Sequence, residues 1–103
     1  MENKKDAEQK AQEIQILEQN LHNILLQKQA FQMELSETQS AKKEVEGSKE
    51  VFKIVGQLMI KSNAEKVSED LINKERLLSL RVGSIEKQEL EIANILEELK
   101  KEM

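Results

Sequence analysis

Several residue types that constrain a fold are scarce in this sequence. Its 103 residues include no cysteine, no proline and only two aromatic side chains, Phe31 and Phe52. Without cysteine the chain has neither a disulfide nor a thiolate metal site, and a reducing compartment is compatible with it. No run approaches the roughly 20 apolar residues that cross a bilayer, and residues 1–13 are too polar for a signal peptide. We expect a soluble, cytoplasmic protein without a membrane partner.

The sequence also lacks a cluster of charges of one sign. The formal net charge is -4, and the basic residues are interleaved with acidic ones along the chain. A nucleic-acid-binding surface usually combines a basic stripe with aromatic platforms for the bases. The sequence has neither feature, so we expect no nucleic-acid partner.

The residues that most enzymes need are absent too. There is no glycine-rich phosphate loop and no cysteine nucleophile, and the single histidine, His22, lacks serine and aspartate partners at a recognisable spacing. One histidine without a carboxylate cluster is also too little for a metal site. We predict that the protein is not an enzyme and has no catalytic residues, cofactor or metal.

What the sequence does contain is a heptad pattern. Apolar residues make up 38% of the chain and charged residues 35%, a balance typical of long helices and coiled coils. In the first half, seam positions alternate at spacings of three and four residues, with three polar members. These positions are Ile14, Leu17, Leu21, Ile24, Lys28, Phe31, Leu35, Thr38, Lys42 and Val45. The pattern predicts a helix at about residues 3–46, ended by Gly47 in a left-handed conformation.

The second half carries a more regular repeat. Ser62 and Glu65 have the spacing of a capping box and predict a helix at about residues 63–101. The apolar residues at every seventh position are Ala64, Leu71, Leu78, Ile85, Ile92 and Leu99. The companion positions three residues later are Val67, Lys74, Arg81, Gln88 and Ile95, with Val82 and Leu96 broadening the stripe. Two helices of similar length joined by a short connector predict an antiparallel coiled-coil hairpin.

Three helical residues leave alternatives open. Lys28 and Lys42 occupy seam positions, where they either specify the register of the helices or extend their aliphatic stems so that the ammonium groups reach water. Gly83 lies inside the second helix, where glycine costs about 1 kcal/mol relative to alanine. It is either a tolerated residue or the mark of a close helix contact.

The connector between the helices is β-like. Two apolar runs rich in β-branched residues flank Gly56-Gln57, and a type II′ turn requires glycine at its first central position. The predicted hairpin spans about residues 50–61, with Val55 opposite Leu58 and Ile54 opposite Met59.

Both faces of this hairpin are largely apolar. A two-stranded ribbon is marginal in water, and its open edges invite further strands. We therefore predict that it is an assembly site shared between subunits. Its residues are Val51, Phe52, Ile54, Val55, Gly56, Leu58, Met59 and Ile60.

Three segments together resemble the β-type subunits of the prefoldins, especially the archaeal ones. They are V-F-K-I-V-G-Q-L-M-I-K at residues 51–61, S-N-A-E at residues 62–65, and L-L-Q-K-Q-A-F-Q-M-E-L-S-E at residues 25–37. The connector has room for one hairpin, as in the β type, whereas the α type is expected to hold two. The resemblance implies a single prefoldin β-type domain over residues 1–103, mainly α, whose hairpins assemble into an oligomeric β-barrel platform.

The resemblance also implies a function and partners. Prefoldin-like chains form a hetero-hexamer of two α-type and four β-type subunits, an ATP-independent holding chaperone. It captures non-native polypeptides at the coiled-coil tips and passes them to a group II chaperonin. The alternative is a purely structural coiled-coil protein that oligomerises or spaces its partners. Gly47, Gly56 and the β-like connector argue against the continuous helix that the plainest form of this alternative needs.

A client-binding surface requires apolar side chains that an unfolded chain can reach. The second helix stays apolar to its end, whereas the first helix offers few apolar residues before Ile14. We predict client contacts at the tip from Leu96, Leu99 and Met103. The other interpretation makes Leu99 an ordinary seam residue and Met103 a frayed terminus.

Overall fold

Two long helices flank a β-hairpin in the computed structural model, which describes residues 4–102. The order is α1 (Lys4–Val45, 42 residues), β1 (Val51–Val55), β2 (Leu58–Ser62) and α2 (Ala64–Lys101, 38 residues). This architecture confirms the predicted fold class. The predicted first residue of the first helix, Asn3, lies outside the described residues.

The chain divides into two compact units. One comprises residues 1–30 and 82–103, and the other comprises residues 31–81. We call them the terminal unit and the central unit. The single domain predicted for the chain stays a prediction.

The end of α1 is closed by backbone and side-chain hydrogen bonds. The N–H of Ser48 donates to the carbonyl of Val45 at 3.1 Å, and its hydroxyl donates to the carbonyl of Glu44 at 2.6 Å. Gly47 has a φ of 79°, which confirms the predicted left-handed residue. These bonds satisfy carbonyl groups that have no partner within the helix.

The start of α2 differs from the prediction. Asn63, not Ser62, is the capping residue, because its side-chain oxygen accepts the N–H of Glu65 at 2.8 Å and its carbonyl accepts the N–H of Val67 at 3.0 Å. Ser62 instead ends β2, opposite Val51. The predicted capping box was wrong. Ser62 is held in β2, so the next residue, Asn63, caps the helix.

The hairpin has the predicted register. Val55 pairs with Leu58 and Ile54 with Met59 in an antiparallel, two-stranded sheet. Gly56 has a φ of 62°, while no other residue among 48–102 has a positive φ. A positive φ at the first central position alone distinguishes a type II′ turn from a type I′ turn, so the predicted turn type is confirmed.

The seam predicted for α1 matches the residues that are withdrawn from solvent. All ten predicted positions are buried or half-buried, including the three polar ones. Thr38 is buried in the central unit, and its hydroxyl donates to the carbonyl of Glu34 at 2.8 Å. A polar side chain is therefore accommodated in the seam because a backbone acceptor one turn earlier satisfies it.

The seam of α2 follows a different spacing from the predicted one. The positions at every seventh residue are buried or half-buried as predicted, but Lys74, Arg81, Gln88 and Ile95 are exposed. The companion seam runs four residues after the first set, through Ser68, Glu75, Val82, Glu89 and Leu96. Four of the five predicted companion positions were therefore wrong by one residue, whereas Val67 is half-buried as predicted. Val82 and Leu96, which were predicted only to broaden the stripe, are buried, and Ile95 is exposed.

Contacts between the helices run antiparallel within each unit. In the central unit, Lys42 contacts Glu75 at 2.9 Å, and the guanidinium of Arg81 lies 5.5 Å from the ring centre of Phe31. In the terminal unit, the pairs are Lys28 with Glu89 at 2.7 Å, Glu18 with Lys100 at 3.0 Å, and Lys10 with Glu102 at 3.4 Å. In the terminal unit, residues with lower numbers in α1 therefore pair with residues of higher number in the C-terminal half of the chain, as in an antiparallel pair.

Each unit buries a small apolar core in this seam. Leu78 is buried in the central unit, and Val82, Ile85 and Leu96 are buried in the terminal unit. Over residues 4–102, neither helix contains an apolar stretch long enough to cross a membrane.

Adjacent residues of α2 provide a test of this seam. Leu96 is 6% exposed and Ile95 is 49% exposed. We expect Leu96→Ala to lower the free energy of unfolding by about 2 to 4 kcal/mol, because it leaves a cavity in the core. Ile95→Ala should cost less than about 1 kcal/mol. Urea denaturation of the two variants measures both values, and an equal or larger loss at Ile95 would restore the originally predicted spacing.

Candidate assembly and client-binding surfaces

The β-hairpin of the central unit carries a large exposed apolar surface. Ile54 and Met59, which lie opposite each other, are 70% and 69% exposed. The other large apolar residues that are exposed there are Phe52, Val55, Leu58 and Ile60. Of the eight predicted assembly residues, only Val51 is half-buried. Exposed large apolar residues grouped in this way are typical of interaction sites.

The backbone edges of the hairpin are open as well. Within residues 4–102, β1 pairs only with β2, so each strand keeps one side without a strand neighbour. Such an edge presents N–H and C=O groups that pair readily with a strand of another chain. The one ion pair across the hairpin, between Lys61 and Glu50 at 3.8 Å, is exposed and contributes little.

One face of the hairpin borders a groove against α2. Phe52 and Ile54 line it from β1, and Val67 and Leu71 line it from the helix. Its volume is about 370 Å³, with the charged residues Lys53 and Asp70 also in its wall. The helix therefore covers this face only in part, and apolar wall remains accessible.

Two of the three predicted tip residues lie within the described part of the chain, and neither is fully exposed. Leu96 is buried in the core of the terminal unit, and Leu99 is half-buried. Met103 lies outside the described residues. Leu96 is therefore not accessible to a client in this packing, because the seam of α2 includes it in place of Ile95.

The structure instead exposes two isoleucines that the sequence prediction missed as site residues. Ile16 is 60% exposed, and it lines a hollow of about 310 Å³ with Leu17, Ile95 and Leu99. Among residues 4–102, Glu13 is the one polar residue in this wall. Ile16 lies between two seam positions of α1, so an apolar residue outside the seam was the available signal. For Ile95 the available signal was the adjacent apolar residue Leu96. Only one of two neighbouring residues can occupy a given seam position, so the other is left exposed.

The charges near this hollow are mostly paired and solvated. The terminal-unit pairs of Glu18 with Lys100 and of Lys101 with Glu97 at 3.6 Å have side chains that are at least half exposed. Exposed pairs of this kind contribute little to stability. Among residues 4–102, no three or more histidine, cysteine or acidic residues lie in an arrangement that holds a metal ion. The chemistry of the hollow is apolar contact.

Comparisons of the sequence with a family model and with known proteins point to the same family. A family model described as a prefoldin subunit matches residues 8–103. The chain is 35% identical over 85 residues to the prefoldin subunit beta of Thermococcus onnurineus, covering 80% of this chain and 73% of that protein. It is 32% identical over 90 residues to the prefoldin subunit beta of Thermococcus kodakarensis, covering 84% and 77%.

A solved structure agrees with these sequence matches. The crystal structure of the prefoldin beta subunit from Thermococcus strain KS-1 superposes with a TM-score of 0.90 at 29% identity. The superposition covers 99% of this chain and 93% of that one. The chain therefore belongs to the prefoldin family, which is a family of chaperones and not of enzymes.

Proposed function

We propose that this chain is a β-type subunit of an ATP-independent holding chaperone that acts in the cytoplasm. Prefoldin beta subunits form hetero-oligomeric complexes, and the proposed complex contains two α-type subunits and four β-type subunits. The observation that carries this proposal is the hairpin, whose apolar side chains and open strand edges are exposed in the single chain.

Assembly supplies the cover that the hairpin lacks. Burying a large apolar side chain contributes about 1.5 to 3 kcal/mol, and six such side chains are exposed on this hairpin. The open edges of β1 and β2 accept strands from neighbouring subunits. Hairpins from several chains thus complete one another as a β-barrel platform.

Client holding requires a second surface, separate from the platform. The hollow lined by Ile16, Leu17, Ile95 and Leu99 offers apolar contacts and belongs to the terminal unit. We propose this hollow as the client-binding surface in place of Leu96. Leu99 belongs both to the hollow and to the predicted tip residues. Apolar contact needs no nucleotide, which is consistent with a holding chaperone. The complex would then transfer the bound polypeptide to a group II chaperonin.

Substitutions in the hairpin test the assembly site. We expect Ile54→Glu with Met59→Glu to prevent assembly with an archaeal α-type prefoldin subunit, because two charges would be buried in the platform. The matched control is Leu77→Glu with Leu80→Glu, which changes two leucines of similar exposure on α2 of the same unit. Light scattering gives the mass of each mixture.

The wild-type chain and the control should both reach the mass of a hexamer with the α-type subunit. Circular dichroism of each variant alone should show unchanged helix content. A hairpin variant that still forms the hexamer would contradict the proposed platform.

The client surface is tested by shortening both isoleucines. We expect Ile16→Ser with Ile95→Ser to raise about tenfold the concentration that suppresses half the aggregation of a guanidine-unfolded protein. That factor corresponds to about 1.4 kcal/mol of lost apolar contact. The control pair Leu26→Ser with Leu90→Ser alters leucines of similar exposure in the same unit.

All complexes in this assay should be intact hexamers. Equal suppression by the isoleucine variant and the control would exclude the hollow as the client surface. No suppression by the wild-type hexamer would favour a purely structural coiled-coil protein.

A further inference from the structure

Each unit contains one lysine-glutamate pair inside its seam. In the terminal unit, the ammonium of Lys28 donates to Oε2 of Glu89 at 2.7 Å, with side chains that are 21% and 30% exposed. In the central unit, Lys42 lies 2.9 Å from Oε2 of Glu75, with side chains that are 30% and 25% exposed. Both ammonium groups contact a carboxylate of the facing helix, and this favours the alternative in which the lysines specify the register.

The two partners in each pair depend on each other. The hydrogen bond that Lys28 donates to Glu89 raises the pKa of Lys28, desolvation lowers it, and the charges of Glu89 and Glu86 add to the rise. Oε2 of Glu75 is shielded from water and accepts no hydrogen bond of normal geometry from residues 4–102. The short distance to Lys42 nevertheless makes that ammonium its compensating charge. Removing one partner would leave the other charge uncompensated in the seam.

The signs of these charges are segregated between the helices. Both seam lysines are on α1 and both seam glutamates are on α2, and each like-charged pair is separated by two heptads. If α1 paired in parallel with α1 of a second copy, each lysine would face its own counterpart across the seam. Parallel pairing of α2 would likewise bring Glu75 against Glu75 and Glu89 against Glu89. Like charges at such short range oppose both arrangements.

A shifted hairpin is opposed in a different way. Moving α2 by one heptad would bring Val82 or Leu96 to the position of Glu89. Lys28 would then face an apolar residue, and the displaced glutamate would lose its partner. A half-buried charge without a partner carries a desolvation cost that the native register avoids.

From these contacts we propose that Lys28, Lys42, Glu75 and Glu89 are specificity determinants that direct α1 to pair with α2 in one antiparallel register. They also oppose parallel pairing of either helix with its copy in another chain. The excluded partner is thus a second copy of this same chain, approached through its helices. This role is independent of the holding function and would apply equally to a structural coiled coil.

Charge reversal in the full-length chain tests the pairing. We expect Lys28→Glu with Lys42→Glu to lower the thermal unfolding midpoint by about 5 °C or more. Adding Glu75→Lys and Glu89→Lys should restore most of the loss, because every seam contact is again between opposite charges. The control Lys74→Glu with Lys100→Glu changes the net charge equally at exposed ion pairs and should have a much smaller effect.

The fourfold reversal keeps the proposal falsifiable if the twofold variant does not fold. A fourfold variant as unstable as the twofold one would overturn the proposal. A twofold variant with the same unfolding midpoint as the wild type would also overturn it.

Removal of the charges tests specificity separately from stability. A variant with leucine at all four positions should melt at or above the wild-type midpoint, because apolar seams are often more stable than charged ones. It should also form additional oligomers by light scattering under conditions where the wild-type chain gives one species. A single species with the wild-type mass would show that these residues do not control partner choice, and would overturn the proposal.

Discussion

The apolar β-hairpin is a surface that a single chain leaves uncovered, and the proposed biology depends on this constraint. Its two strands have five residues each, and the side chains on both faces remain largely exposed. The backbone edges are open as well, so the hairpin can lower its free energy through the apolar faces and through strand pairing. The chain belongs to the prefoldin family, whose beta subunits form hetero-oligomeric complexes. In such a complex, neighbouring subunits could cover the hairpin.

An assembly that depends on exposed hairpins also requires helices that do not associate indiscriminately. Long heptad seams readily pair with other heptad seams, and an entirely apolar seam offers little discrimination between partners. The seams here include Lys28 opposite Glu89 in one unit and Lys42 opposite Glu75 in the other. These contacts favour pairing of α1 with α2 and oppose pairing of either helix with its copy. In this proposal the hairpin promotes association between chains, and the charged seam positions limit that association to the hairpin.

Much of the fold could be predicted from spacing alone. Lys28, Thr38 and Lys42 were correctly assigned to the seam of α1 because position in the heptad, and not polarity, determines which side faces the partner. The companion seam of α2 was misassigned because Glu75 and Glu89 are poor core residues unless their lysine partners are known, and spacing does not supply that information. Ile95 was consequently placed in the companion seam, and Leu96 was placed at the edge of the stripe and assigned to client contacts. The N-cap was misplaced because β2 extends to Ser62, which depends on pairing with Val51.

Hydrogen exchange of the hairpin amides measures most directly whether assembly covers this surface. In the chain alone, the outer-edge amides of β1 and β2 should exchange rapidly, since they have no strand partner in the structure. After an α-type prefoldin subunit is added, we expect exchange at Val51–Val55 and Leu58–Ser62 to slow by at least about tenfold, as edges pair with neighbouring strands. A complex that forms with unchanged exchange in both strands, and with protection confined to the helices, would contradict assembly through the hairpin.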